Sequence, residues 1–223
     1  MARKNDQENT GRFLSRYGIL LFEEHIEHGG NRVFNDRIEE ILKKTGTLLT
    51  GHFLLTSGRH SNQYMQCAKI LQYPHYAEEL VTPLADSFED DEIDVVLCPA
   101  VGGIIVAYEL ARQMGVRNVF AERENGKMTL RRGFSIDPGS RVLIAENVIS
   151  TGGTVREVME IVHDQNAVVA GVAVLIDRSK GAIDFGVKQS VTYTADVKGW
   201  DAENCPLCKE NKIPLVKPGS KKM

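Results

Sequence analysis

The stretch Val142-Leu143-Ile144-Ala145-Glu146-Asn147-Val148-Ile149-Ser150-Thr151-Gly152-Gly153-Thr154-Val155 concentrates residue types that can do chemistry together. An apolar run ends in an acidic residue, a hydroxyl- and glycine-rich loop follows, and a helical pattern opens after it. Such a continuous apolar run is what a buried parallel strand needs. The loop that leaves it lies at the strand's carboxyl end, where open α/β sheets bind ligands. Backbone N–H groups of Thr151, Gly152, Gly153 and Thr154 would converge there, and a helix N-terminus adds positive potential. That is a phosphate cradle. Glu146, just ahead of it, offers a carboxylate to sugar hydroxyls, so the stretch reads as a site for a phosphorylated sugar. An ordinary strand–turn–helix junction is the alternative.

Three other segments carry candidate chemistry. Cys98-Pro99-Ala100-Val101-Gly102-Gly103-Ile104 also joins a strand end to a helix start, and Gly102 and Gly103 let backbone approach a ligand closely. Residues 122–134 place Arg123, Lys127, Arg131 and Arg132 in thirteen positions. They read either as a solvated charged hairpin or as a set of cations for a leaving anion. Leu175-Ile176-Asp177-Arg178-Ser179 ends a strand on an arginine, whose planar fork suits a carboxylate; a surface salt bridge is the other reading.

Cys205-Pro206-Leu207-Cys208 can mean zinc or redox chemistry. One pair gives two ligands, and His52, His60 and His163 are too scattered along the chain to complete a site. The thiols are expected to be structural or incidental, with a metal shared between subunits as the alternative, and no metal held by the site residues themselves.

These residues need a scaffold. Ile93 to Cys98 reads as a strand, Gly103 to Met114 as a helix stopped by Gly115, and Val116 to Ala121 as a strand. Arg141 to Ala145 is the strand before the glycine loop. Val155, Val158, Met159 and Val162 stripe the next helix, and Val168 to Ile176 is a long buried strand. Alternating strands and helices imply an α/β fold with a parallel twisted sheet flanked by helices. Upstream, Ala77, Leu80, Val81, Leu84, Ala85 and Phe88 share a helical face that Pro83 should kink or divide. Gly46 to Gly58 is hairpin-like, and Asp36 is a candidate N-cap for a helix. Phe13, Tyr17, Leu20 and Leu21 suggest a short amphipathic helix, and Gly29-Gly30-Asn31 a break. The expected organisation is an extension over 1–35, a domain over 36–220 and a tail over 221–223; residues 217–222 should be mobile.

The chain has 223 residues, 42% hydrophobic, with a net charge of −3. That suffices for a core and gives no reason to expect nucleic-acid or membrane partners. No apolar run approaches about 18 residues and no signal peptide is visible, while four cysteines suit reduced thiols in the cytoplasm.

The run through Glu146 and Ser150-Thr151-Gly152-Gly153-Thr154 resembles the phosphoribosyl-diphosphate signature of the type I phosphoribosyltransferases. There, two adjacent acidic residues hold the ribose hydroxyls; here the pair is Glu146-Asn147, an amide in place of the second acid. Phe53, Leu55, Ser57, Gly58 and Ser61 resemble the hood segment of the orotate phosphoribosyltransferases, and Cys205 through Ser220 the C-terminus of one bacterial branch of them. The resemblance covers roughly Asp36 to Ser220. It implies a small N-terminal hood, formed mainly by 36–70 and the C-terminal segment, and transfer of a phosphoribosyl group from phosphoribosyl diphosphate to orotate, giving orotidine 5′-monophosphate and diphosphate.

By that resemblance Gly102, Gly103, Arg123, Lys127, Glu146, Asn147, Val148, Ile149, Ser150, Thr151, Gly152, Gly153 and Thr154 bind the donor. Lys127 and Glu146 carry catalysis, and Tyr64, Ser150 and Arg178 meet orotate. Mg²⁺ would arrive on the donor's diphosphate. The basic loop would close as a lid over the neighbouring site of a homodimer. Asn147 keeps two alternatives open: a non-catalytic regulator that binds the donor or a nucleotide, and a phosphoribosyltransferase for another base.

Overall fold

The computed structural model describes residues 13–14, 20–21, 29–55 and 57–218. It divides into two compact units, Met1–Arg37 and Ile38–Met223.

In the first unit β1 (Phe13–Leu14) pairs antiparallel with β2 (Leu20–Leu21). These residues were expected on a helix; Tyr17 lies outside the described residues. A few apolar residues over nine positions fit either period, and length alone cannot arbitrate. Helix α1 (Gly29–Lys44) opens at Gly29 rather than at Asp36, which is interior. Once a stripe is buried, each residue added to a helix end gains a hydrogen bond, and glycine there costs only about 1 kcal/mol, so Gly29-Gly30 need not break it. The buried stripe is Ile38, Ile41 and Leu42.

Strands β3 (Leu48–Leu54) and β4 (His60–Met65) form a hairpin, antiparallel with an irregular register between Thr50 and Phe53. The stretch from Gly46 to Gly58, expected to hold the hairpin, supplies only its first strand, because the second lies past Gly58 in a largely polar run with no apolar alternation to mark it. After α2 (Ala68–Leu71) comes α3 (Pro74–Ser87), which runs through Pro83 undivided. Tyr76, Ala77, Leu80, Val81 and Leu84 are buried along it, and that burial outweighs the one backbone hydrogen bond a proline removes.

The α/β succession follows: β5 (Val95–Pro99), α4 (Ile104–Met114), β6 (Arg117–Glu124), β7 (Lys127–Leu130), β8 (Arg141–Ile149), α5 (Gly153–Asp164), β9 (Val168–Asp177) and β10 (Lys188–Thr194). Helix α4 ends at Gly115 in the left-handed region, as its sequence implied. Strand β8 continues four residues beyond Ala145 because β9 keeps pairing with it, Glu146 opposite Val174 and Ile149 opposite Asp177. The sheet order is β10-β9-β8-β5-β6-β7, parallel except for β7. Helix α5 packs Val155, Val158 and Val162 against Val95, Leu97, Val142, Ile144, Val172 and Val174. Helices α3 and α4 pack on each other and on the sheet, where Phe88 and Leu110 are fully buried.

Chain order reverses between β5 and β8. From β5 the chain proceeds to β6 on one side; from β8 it proceeds to β9 and β10 on the other. The loops after these two adjacent strands therefore diverge and leave a crevice at their carboxyl ends, where open sheets bind ligands.

The C-terminal segment returns to the hairpin. β11 (Gly199–Trp200) pairs with β4, α6 (Pro206–Glu210) follows, and β12 (Leu215–Val216) pairs with β3, giving a second sheet of order β11-β4-β3-β12. Among the described residues no helix is long and apolar enough to cross a membrane.

Candidate active site

Both glycine loops open at the switch point: Ala100–Gly103 after β5 and Ser150–Gly152 after β8. The first loop packs on β8: a Cβ on Gly102 would stand 2.8 Å from the Asn147 amide nitrogen, so glycine leaves this side chain its place. The Ala100–Val101 peptide is cis. Gly152 has φ 74° and its Cβ position is filled by the Phe185 ring at 2.9 Å, so both conformation and space require glycine. As the N-cap of α5 it brings no side-chain acceptor, and neither does Gly103 at α4. The first-turn N–H groups of α5 are thus left for an incoming anion. Ser150, Thr151 and Gly153 are exposed at the mouth of this loop, while Thr154 is half-buried.

Glu146 is buried at 7% exposure, and its Oε1 accepts the Asn147 N–H at 2.9 Å. Burial raises its pKa to about 7, against the lowering effect of that hydrogen bond. Asn147 and Val148 are half-buried and Ile149 is buried within β8.

Arg178 follows β9. Its N–H donates to the Ile149 carbonyl at 2.9 Å. Asp177, 2% exposed, accepts the N–H groups of Ser179 and Gly181 at 2.6 and 2.7 Å and so turns the chain that presents Arg178. The Arg178 Nε is buried with no hydrogen-bond partner, and so is the Ser179 hydroxyl. Leaving a donor of a charged group buried and unmade is costly. Burial pushes the Cys67 thiol up to about 12, with the Arg178 charge opposing and the Glu146 charge adding to the rise. Glu146 lies on β8 three residues before Ile149, which is opposite Asp177 at the end of β9, and Arg178 follows directly, so both belong to the carboxyl ends of adjacent strands. Neither Cys67 nor Asp177 was singled out from sequence, since a lone thiol and a strand-end aspartate carry no spacing signal.

The remaining candidates sit apart. Residues Arg117–Leu130 form the hairpin β6–β7 around an Asn125-Gly126 turn. Arg123 donates to the Gly126 carbonyl at 2.5 Å and pairs with Glu157 of α5 at 2.8 Å. Lys127 is exposed and, with Leu130, Glu157 and Ile161, lines a cavity of ≈ 220 Å³ between hairpin and helix. Tyr64 packs its ring against Phe53 at 5.8 Å in the second sheet.

The separation of His52 and His60 in sequence misled. The hairpin and the C-terminal segment bring both together with Cys205 and Cys208, their ligand atoms all within 4.8 Å. Two histidines flanking a Gly-containing hairpin turn were the available signal.

A switch-point crevice with a glycine phosphate loop, a buried carboxylate and a second glycine loop defines a phosphoribosyltransferase. Residues 68–203 match the family profile described as "Phosphoribosyl transferase domain", and the chain belongs to that family. Within it, the chain belongs with the orotate phosphoribosyltransferases. It is 60% identical over 188 residues to the orotate phosphoribosyltransferase of Pelotomaculum thermopropionicum, covering 84% of this chain and 98% of that one. It is 51% identical over 188 residues to that of Desulforamulus reducens, with the same coverage. Among solved structures, orotate phosphoribosyltransferase from Aeropyrum pernix superimposes with a TM-score of 0.62 at 25% identity, over 70% of this chain and 93% of that one.

Proposed function

We propose that this chain transfers the 5-phosphoribosyl group of phosphoribosyl diphosphate to orotate, releasing diphosphate and forming orotidine 5′-monophosphate. The observation that carries the base assignment is half-buried Arg178, whose Nε is buried with no hydrogen-bond partner, at the end of β9 next to the strand that carries Glu146. A carboxylated base supplies the acceptor that Nε lacks, and the fork can be met bidentately. The relatives' names agree with this reading, so neither a regulator nor a different base is favoured.

The Ser150–Thr154 loop and the α5 N-terminus hold the 5′-phosphate, and Val148 and Ile149 set the strand end that delivers it. Gly102 and Gly103 let the loop after β5 pack close on Asn147 and Ala145, so that its backbone borders the diphosphate. Glu146 accepts the ribose hydroxyls, with the Asn147 carbonyl oxygen as its neighbour, and Ser150 and Tyr64 border the base. The donors at this point are oxygens, which suit a hard cation. Mg²⁺, bound through the donor's own oxygens, would neutralise diphosphate charge. Lys127 and Arg123 approach the leaving group when the hairpin closes, and closure excludes water from the sugar. Anomeric carbon and base nitrogen are thereby aligned without covalent help from the protein.

The working form is a homodimer in the cytoplasm. Val101 at 82% exposure leads onto α4, where Ile105 and Tyr108, three residues apart on one face, are exposed large apolar side chains.

Arg178→Ala tests the assignment. Truncating one partner of a buried charge pair costs about 2–5 kcal/mol. Steady-state kinetics should show kcat/KM for orotate reduced roughly thirtyfold or more, while calorimetric donor binding stays nearly unchanged. Equal loss of both would make Arg178 a structural residue and overturn the base assignment.

A further inference from the structure

His52, His60, Cys205 and Cys208 form a cluster apart from the catalytic crevice, and we propose that it is a structural zinc site pinning the C-terminal segment to the β3–β4 hairpin. His52 lies on β3 and His60 on β4; Cys205 and Cys208 flank the start of α6. Nε2 of His52 stands 3.1 Å from Nδ1 of His60, 3.5 Å from the Cys205 sulfur and 3.6 Å from the Cys208 sulfur. The Cys208 sulfur is 3.2 Å from Nδ1 of His60.

Hydrogen bonding alone does not account for this. An imidazole nitrogen has one in-plane lobe, either an N–H or a lone pair, yet three groups converge on His52 Nε2. Groups that face a common point rather than one another give this pattern. The lengths fit an ion at that point. Zn–N of about 2.0–2.1 Å and Zn–S of about 2.3 Å at tetrahedral angles put neighbouring ligand atoms roughly 3.4 Å (N···N) and 3.6 Å (N···S) apart.

The ligand set selects the metal. Two thiolates and two imidazoles suit zinc, and magnesium prefers oxygen donors. The surroundings are those of a closed site: Cys205 is fully buried, His52 and His60 are 4% and 6% exposed, and four protein ligands leave no open position for a substrate. Nδ1 of His52 lies 3.1 Å from the Ile213 carbonyl. As its N–H donor it turns the Nε2 lone pair toward the cluster, the outer-shell arrangement usual for a metal-bound histidine. Binding releases the two thiol protons to solvent, so two thiolates balance the ion's charge.

The architecture gives the ion its task. β11 and β12 are two residues each, too short to hold a sheet edge by themselves. α6 has five residues and none is buried. A bond network from β3 and β4 to α6, between those two edge strands, supplies what this small layer lacks in apolar burial.

The full-length protein, purified without chelators or a metal-affinity step from zinc-supplemented cells, should carry about one zinc per chain by elemental mass spectrometry. Replacing zinc with cobalt should give the intense visible bands of a tetrahedral ion and a thiolate charge-transfer band. Both should be lost in Cys208→Ser, the exposed ligand and so the substitution least disruptive to folding. Removing zinc from the wild-type chain should lower its melting temperature, and zinc but not magnesium should restore it. If the Cys208→Ser chain does not fold, native mass spectrometry of the wild-type chain still decides. Zinc-free protein that takes up no zinc at micromolar concentration would overturn the proposal, as would an octahedral cobalt spectrum.

Discussion

Asn147 presses its amide against Gly102 in the crevice where an acidic pair would place its second carboxylate. Aspartate has the same shape, so Asn147→Asp changes charge and acceptor count rather than packing. An amide accepts through one atom, a carboxylate through two, and a charged hydrogen bond contributes about 1.5–3 kcal/mol. Asn147→Asp should raise kcat/KM about tenfold or more, chiefly through tighter binding of the Mg²⁺–donor pair. Unchanged kinetics would mean that the amide serves as well as the acid.

Glu146 adds a pH dependence. Its pKa in the folded chain is about 7, above the usual carboxylate range, because burial disfavours the charge. A raised folded pKa means that this group favours folding fully below its unfolded pKa and loses that contribution as pH rises through about 7. Donor binding runs the other way, since hydroxyls need the ionised acceptor. Calorimetry should show donor affinity rising with pH and levelling off above about 7, with proton release on binding below it. Glu146→Gln should abolish that release. A pH-independent affinity from 5 to 8 would remove Glu146 from the donor site. This carboxylate was legible in the sequence because strand, acid and glycine loop are contiguous. The His52–Cys205 meeting was not, because 153 residues separate the partners.

The β6–β7 hairpin behaves as an element of its own. Its Asn125-Gly126 turn has φ values of 49° and 85°, both positive as a tight two-residue hairpin turn requires. One tie to α5 is the Arg123–Glu157 pair, with side chains 45% and 39% exposed. Exposed ion pairs contribute under about 1 kcal/mol, so this pair holds the tip weakly, whereas Met128, buried in the core cluster, and Leu130, packed against it, anchor β7 on α5. A lid movement therefore belongs to the tip around Asn125-Gly126. If it serves a neighbouring subunit, light scattering gives about twice 24.8 kDa, and mixing Lys127→Ala with Glu146→Gln chains restores part of the activity each lacks. An active monomer would refute lid sharing. Sequence marked this segment as a loop or exposed ribbon; it marked β5, β8 and β9 because burial on both faces writes a continuous apolar signal, α5 by its one-sided apolar stripe and α4 by its glycine stop. It missed β10, whose residues are mostly exposed, and β11 and β12, which are too short to carry a pattern.

At the scale of the molecule, alternation of strands and helices implied a parallel sheet, and the sheet is parallel except at β7. The order of its strands was not legible, because pairing between β5 and β8 joins segments that no local pattern links. That order creates the crevice, so the site's residues could be named before their meeting place could. The second sheet has its own consequence, for biosynthesis. Arg59 bonds the Gly199 carbonyl across 140 residues, so β3 and β4 leave the ribosome long before β11 and β12 exist to cover their edges. Through that interval the nascent chain carries two open strand edges beside a nearly complete α/β layer, and open edges invite pairing with other chains. Chaperone demand during translation should therefore fall only after residue 216 has emerged, and chains interrupted between 199 and 216 should aggregate through the hairpin rather than through the larger sheet.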